Sequence, residues 1–552
     1  MRFFGNDPEI PASHSSISWR DTLRFLIGVV APISFVILLP ELVAPFNDDN
    51  HLFQSMGWLH HAYGRLPYLG LWDQNFPGIV QLHSLVISIF GVSPFGFRLV
   101  DFLAQFATCI LMAVILHRRY GKFVALAAPS LFALDYMIGS YWLSGQRDGF
   151  GSLAVLAATA IYLSLRSSPL KERKILSYIG MFAAGTFMAI AFDLRPTQIF
   201  LAIALAVAVI IYDKKYRWEW LLCYTLGGLT VIGSIVIQYA AQPGVLGEFW
   251  QDAIRFNTEV FTLPQYTFPW YRMLFFRPRE IVYNLVVILW CVQYVRSKRV
   301  PVFHGFGNRL KNAPVESTLF LMYYIASKAG VIMMGKFFIG HYHPQLILNA
   351  ILAALVLNYV IQLFNKYRVV KYIPALILAV LTVRIYALSQ IPPITKNIIN
   401  SREFRLDKIR VRNPYDVNDW EEEYGKTSDY LLRHDARGNR LEVWGWCPGL
   451  YWRTGCNSSS RFPFMLPLIM TGKHGEYTDF QRKWQREFMD SLTLAPPKFV
   501  VIAVDSFGIN QFYYHTSYQL VDSVPGFRRL LDTGYTLDTS MSQWYIYKNK
   551  AF

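Results

Sequence analysis

Two adjacent carboxylates open a polar stretch directly after the first long apolar run, in Asn47-Asp48-Asp49-Asn50-His51. Neighbouring carboxylates at an apolar boundary repel each other and lose solvation unless a cation, a metal or water compensates. A solvated loop entry would account for the pair taken alone. Three more polar clusters accompany it: Asp73-Gln74-Asn75 before Phe76-Pro77-Gly78, Gln146-Arg147-Asp148, and Gly340-His341-Tyr342-His343-Pro344-Gln345. A carboxylate in this setting can take the proton of an attacking hydroxyl. The rigid fork of arginine and the point charge of lysine suit phosphate oxygens. Arg147, Arg195 ahead of Pro196, and Lys336 ahead of two phenylalanines are the candidate cations for an anionic lipid headgroup. Arg147 beside Asp148 also reads as a neutralised interfacial pair. His341 and His343, spaced i and i+2, face one site only on an extended or turn backbone. With Asp48 and Asp49 they could ligate a divalent metal, although hydrogen-bonded interfacial histidines have the same spacing. No other cofactor is implied.

Something must bring these distant clusters to one place, and the composition indicates what. Of 552 residues only 16% are charged, 53% are hydrophobic and 16% aromatic. Soluble proteins carry about 25% charge, and the mean hydropathy here is positive. Membrane embedding follows, and disorder or a disulfide-stapled mini-domain is excluded. Apolar runs near 21–40, 98–116, 123–142, 149–165, 176–193, 197–212, 219–239, 281–296, 317–334, 345–363 and 371–388 predict about eleven spans. The run Gly78–Gly91 is too short for a span and reads as a half-buried helix. The formal charge of +16 concentrates in short Lys/Arg clusters after alternate spans, such as Arg118-Arg119 with Lys122 and Lys214-Lys215 with Arg217. That is the bias of cytoplasmic loops, not a nucleic-acid-binding face, and no nucleic-acid partner is expected. It places the N-terminus in the cytoplasm and everything beyond residue 389 outside. The first run follows about twenty polar residues without a small-residue cleavage site, so it reads as a retained span. All four polar clusters then face the outer side.

The predicted architecture is a polytopic α-helical membrane protein: residues 1–388 form the membrane domain with its 47–97 outer loop, and 389–552 form an outer domain. Strand-like stretches at Arg440–Trp446, Lys498–Val504 and Gln543–Tyr547, with helical periodicity over Gln481–Leu492, make that domain small and mixed α/β. Cys447 and Cys456 lie close enough in sequence for a disulfide, or are free thiols; the sequon at Asn457 matters only in a host that glycosylates it. Phe261–Phe276 is a candidate wall for an acceptor path, against the general enrichment of aromatics at membrane interfaces. Glycine fingerprints for nucleotides are missing.

In this order, the acidic pair, a helix of about fifteen residues ending at Gly64, Leu66-Pro67-Tyr68, Trp72-Asp73, Pro77-Gly78 and Phe90-Gly91 resemble the first outer loop of the C-type membrane glycosyltransferases (GT-C). Their protein mannosyltransferase and aminoarabinose transferase relatives are the nearest likeness. Gln146-Arg147-Asp148, His341-Tyr342 and, in the tail, Trp444-Gly445-Trp446, Leu450-Tyr451 and Ser460-Arg461-Phe462 look like a bacterial branch.

The resemblance implies a polyprenyl-phosphate-linked sugar donor, a glycan, lipid or protein acceptor, surrounding membrane lipids, and the bacterial cytoplasmic membrane as location. It implies a catalytic aspartate that falls on Asp49, counted back from Gly64, with Phe53 at the usual aromatic position. Asn50 replaces the family's second acid, and a one-residue shift would give the role to Asp48. The lysine that some relatives use for the phosphate falls near Asn75, so Arg147, Arg195 or Lys336 must stand in. Asp73, Gln146, Asp148, His341 and His343 complete the candidate site. A transporter or flippase of a lipid-linked saccharide is the competing reading, and it would place polar groups at mid-membrane in repeated halves. A scaffold that merely presents the outer domain leaves the acidic pair unexplained.

Overall fold

The computed structural model describes residues 19–167, 173–268, 284, 315–336, 338–363, 420–504, 516–541 and 543–552. The chain divides into two compact units. A helical unit is drawn from residues 1–42, 101–234 and 268–400, and a mixed unit from 43–100, 235–267 and 401–552.

Apolar runs without solvent to satisfy their peptide groups must form helices. In the helical unit these are α1 (Trp19–Val43), which contains a π turn at Leu26–Val30, and, after α2 and α3 of the mixed unit, α4 (Pro94–Ile138). Gly121 breaks α4 with φ 81°, so the single long element corresponds to two expected spans. Then come α5 (Arg147–Ser167), α6 (Lys174–Leu194), α7 (Ile199–Tyr212) and α8 (Arg217–Ala240). Two more follow, α10 (Val315–Met334) and α11 (His343–Leu363). Among the described residues five helices are long and apolar enough to cross a membrane, and α7 and α10 are shorter apolar helices. Nine of the expected runs coincide with these elements; 281–296 and 371–388 lie outside the described residues.

Small residues let helices approach closely where no hydrophobic force separates lipid from protein. A Cβ on Gly185 of α6 would lie 1.8 Å from the Tyr224 carbonyl of α8. On α8, Trp218 and Ile237 are each 71% exposed, as expected of side chains that face lipid. A buried charge in this unit is paired: Asp213 meets Arg166 at 3.4 Å and accepts from the Tyr162 hydroxyl at 2.8 Å.

The mixed unit joins three stretches of chain around one core. The first outer loop contributes α2 (Asp48–Tyr63) and α3 (Gly78–Phe90), and the stretch after α8 contributes α9 (Val245–Phe249) and the turns that follow it to Tyr266. The C-terminal stretch adds α12 (Trp420–Arg433), β1 (Arg440–Trp444), α13 (Gly449–Thr454), β2 (Asn457–Ser458), α14 (Asp479–Leu494), β3 (Phe499–Ala503), α15 (Phe527–Gly534), β4 (Tyr535–Met541) and β5 (Trp544–Asn549). The sheet order is β2-β1-β3-β5-β4. β1 runs parallel to β2 and β3, and β5 antiparallel to β3 and β4, with Leu441 opposite Phe499 and Val501 opposite Ile546.

The three strand-like stretches and the helix read from the sequence are present as β1, β3, β5 and α14. β4 was not read because its polar, exposed residues lack an apolar face. The compact unit differs from the expected boundary at 389, because Trp72 and Phe256 pack in one core with Trp484, Phe462 and Val501. Cys447 and Cys456 are both free and buried, on either side of α13, and the Cys456 thiol contacts the Ala436 carbonyl at 3.1 Å.

Candidate functional site

In the mixed unit the acidic pair occupies the first turn of α2. Asn47 is the N-cap: its backbone is extended and its side chain accepts the Asn50 N–H at 2.8 Å. Asp48 and Asp49 follow at once, both half-buried, where the free N–H groups and the helix dipole favour negative charge. This arrangement moderates the mutual repulsion without requiring a metal. The helix ends as expected: Gly64 adopts the left-handed conformation at φ 64° and donates to the His60 carbonyl at 3.1 Å.

Asp73 lies elsewhere in the loop. Its carboxylate accepts from the Asn75 backbone at 2.9 Å and from the Asn75 amide at 2.7 Å, closing a tight turn ahead of α3. Arg65, beyond Gly64, donates to the Ser460 carbonyl at 2.8 Å and to the Asn457 side chain at 2.8 Å. The loop and the C-terminal stretch are therefore cross-linked within this unit.

In the helical unit the second group assembles. Gln146, Arg147 and Asp148 enter α5 after Gly145, whose φ is 65°. Asp148 pairs with Arg195, Oδ1 to Nε at 3.5 Å, and both side chains are buried. The turn between α6 and Pro196 thus delivers the Arg195 guanidinium to Asp148, a pairing the sequence order does not announce. Arg195 also contacts the Met334 sulfur. His341 sits in the one-turn helix Ile339–Tyr342. Burial first, then the positive charges of Arg195, Arg147 and Lys336, hold its imidazole well below the usual histidine range. All three candidate cations therefore act on one neutral histidine. Lys336 is itself buried, which pushes its ammonium down to about 7.

A narrow cleft adjoins these groups, lined by Asp148, Gln198, Ser327 and His341 together with the apolar side chains of Leu201 and Met334. Gln146 packs against Gly340, where a Cβ would lie 3.3 Å from its side-chain carbon. His343 points elsewhere, because helical backbone replaces the extended backbone that would align it with His341. Its Nδ1 lies 3.3 Å from the Ser152 hydroxyl, and its ring meets Phe132 and Tyr136 edge-on at 5.8 Å. It is a buried packing residue. Among the described residues no group of three or more His, Cys, Asp or Glu gathers as a metal site.

Asp101 was missed in the sequence. Buried near the start of α4, it accepts from Tyr136 at 2.6 Å, from the Gly145 N–H at 2.7 Å and from Gln105 at 2.9 Å. It thereby holds the turn that launches Gln146–Asp148. An acid inside an apolar run is the signal that could have revealed it.

Comparison with known proteins gives the arrangement a context. Residues 77–237 match the family described as dolichyl-phosphate-mannose-protein mannosyltransferase. The crystal structure of ArnT from Cupriavidus metallidurans bound to undecaprenyl phosphate aligns over 97% of this chain and 99% of its own, with a TM-score of 0.55 at 12% identity. The apo ArnT structure aligns over 96% and 98%, with a TM-score of 0.53 at 11% identity. The chain has the GT-C fold. No curated protein matches by sequence alone. At these identities the GT-C likeness concerns the whole course of the chain, membrane helices and C-terminal α/β part together, and the roles of individual residues rest on their own geometry.

Proposed function

We propose that this GT-C protein is an inverting glycosyltransferase that moves a sugar from a polyprenyl-phosphate donor to a glycan, lipid or protein acceptor on the outer face of a bacterial cytoplasmic membrane. The observation that carries the reading is the buried Arg195–Asp148 pair at 3.5 Å beside a cleft that Asp148 and His341 line, with Arg147 and Lys336 among the charges that lower the His341 imidazole. Guanidinium and ammonium groups of this kind suit the oxygens of a phosphate. A lipid phosphate diester is an anion that a membrane supplies at that level. Arg195, oriented by Asp148, and Arg147 would hold the phosphate oxygens, and Lys336 would add charge.

The acidic pair supplies the other half of the chemistry. Asp49, with Asp48 as its neighbour and orienting group, takes the acceptor hydroxyl proton while that oxygen attacks the anomeric carbon. The bond from that carbon to the phosphate oxygen breaks and the phosphate leaves with the electron pair, stabilised by the cations. One displacement inverts the anomeric centre, and a phosphate leaving group needs no acid to protonate it.

The test uses purified full-length protein in detergent, radiolabelled polyprenyl-phosphate pentoses and hexoses as donors, and lipid, glycan and protein fractions of a bacterial envelope as acceptors. Sugar transfer with inversion is expected, and Asp49→Asn should lower turnover by about 100-fold or more, the usual scale of general-base loss. Wild-type turnover in folded Asp49→Asn and Asp48→Asn proteins would exclude both as the base. Movement of the intact donor across vesicle membranes without transfer would instead support a flippase.

A further inference from the structure

His51 is 2% exposed although it stands one turn into a helix that opens the outer loop. Its ring meets Tyr424 of α12 with centroids 4.5 Å apart, and stacks on Trp452 of α13 at 5.9 Å with 15° between the planes. Phe46 closes a third side edge-on at 5.6 Å. Arg453 lies over Trp452 at 4.7 Å and over Tyr424 at 5.5 Å, backing the same two rings. Gly449, the first residue of α13, makes room for this contact: a Cβ there would lie 2.7 Å from His51 Nδ1 and 2.9 Å from Tyr424 Cε1. One turn further along α2, the Ser55 hydroxyl donates to the Pro448 carbonyl at 2.5 Å. All these residues belong to the mixed unit.

We propose that Tyr424 and Trp452 of the C-terminal stretch clamp His51 and thereby set the rotation of the first turn of α2, making them positioning residues for the acidic pair. The proposal rests on the reading of Asp49 as the general base with Asp48 as its orienting neighbour. His51 and Asp48 are three residues apart on the helix, so they share a face and turn together. A helix start carries few intrahelical hydrogen bonds, so a displaced ring can re-aim it without unfolding the helix. Proximity effects are steep: a misplacement of about 1 Å costs on the order of 100-fold in rate. Gly449 needs no left-handed backbone, so a methyl there strains only its neighbours.

The experiment measures kcat, donor KM and melting temperature for full-length Gly449→Ala, Trp452→Ala and Trp452→Phe, on the donor and acceptor fraction that the wild-type protein turns over. The expected result is a kcat for Gly449→Ala and Trp452→Ala on the order of 10 to 100-fold lower, with donor KM unchanged. Trp452→Phe, which restores a ring, should return kcat to near wild type at a similar melting temperature. Wild-type kcat in both Gly449→Ala and Trp452→Ala overturns the clamp, as does a Trp452→Phe protein that melts like wild type yet stays as slow as Trp452→Ala. Asp48→Asn and Asp49→Asn run alongside: if both retain turnover, the base assignment fails by itself, whereas inactive aspartate variants with fully active Gly449→Ala and Trp452→Ala proteins overturn the clamp alone.

Discussion

Lys336 shows what burial does to a candidate phosphate ligand. Its ammonium is pushed down to about 7, so near neutrality it is only partly charged in the absence of an anion. It is a cation below that value and neutral above it, and a bound phosphate would draw a proton onto it. Affinity for polyprenyl phosphate should therefore fall as pH rises from about 6 to about 9, over a range in which an unperturbed lysine stays charged. Lys336→Arg should flatten that dependence, because guanidinium keeps its proton throughout. Binding measured by tryptophan fluorescence across this range checks it; an unchanged slope in the variant would remove Lys336 from the phosphate. His341 beside it is kept neutral by burial and by the three cations, and so can contribute a hydrogen bond but no charge.

At the scale of elements, Arg461 ties together stretches that the sequence separates widely. Its guanidinium meets Asp252 at 2.8 Å, Glu248 at 3.0 Å and Glu487 at 2.8 Å, and donates to the Tyr68 carbonyl at 2.6 Å. The loop, the stretch containing α9, and α14 thus share one buried cation. Burial drives the Asp252 carboxyl well above the usual range and Arg461 opposes that shift. Arg461→Ala would leave these acids without their counter-charge, and removal of one partner of a buried pair costs about 3–5 kcal/mol. The expected outcome is a lower melting temperature together with faster proteolysis between residues 245 and 267. Glu248 also holds Lys483 at 2.9 Å. Lys483 is half-exposed, so Lys483→Ala should change the melting temperature little.

On the scale of the whole molecule, the mixed unit contains its own pH-sensitive element. Glu442 lies fully buried in β1; burial raises its carboxyl from the ordinary 4.5 to about 7, while hydrogen bonds from the Ser460 hydroxyl and N–H and the charge of Arg65 pull it back. The phenols of Tyr451 and Tyr535 also feel its charge. Folded protein holds the proton more tightly than unfolded chain. The stabilisation is complete below about 4.5 and is lost as pH rises through about 7. Melting of the mixed unit should shift to lower temperature across that window, and Glu442→Gln should remove this part of the dependence. Because this unit carries the acidic pair of α2 as well as the sheet, activity at alkaline pH should be limited by its integrity as well as by Lys336.

The sequence by itself determined the elements. An Asn-Asp-Asp start and a Gly64 stop define α2, apolar length defines the membrane helices, and short runs rich in β-branched and aromatic residues define β1, β3 and β5. All of these signals lie within a few residues or turns of the structure they specify. It also identified the cations and carboxylates worth watching, because charge beside an apolar run is expensive wherever the chain later goes. Only the tertiary structure decided who meets whom. Asp148 reaches Arg195, His341 and His343 part because helical backbone separates them, and Asp101 anchors the turn before α5. The tail residues Tyr424 and Trp452 close on His51 hundreds of positions away in the chain. Such contacts depend on how helices and a sheet pack through space, and packing is a property of surfaces assembled from remote segments.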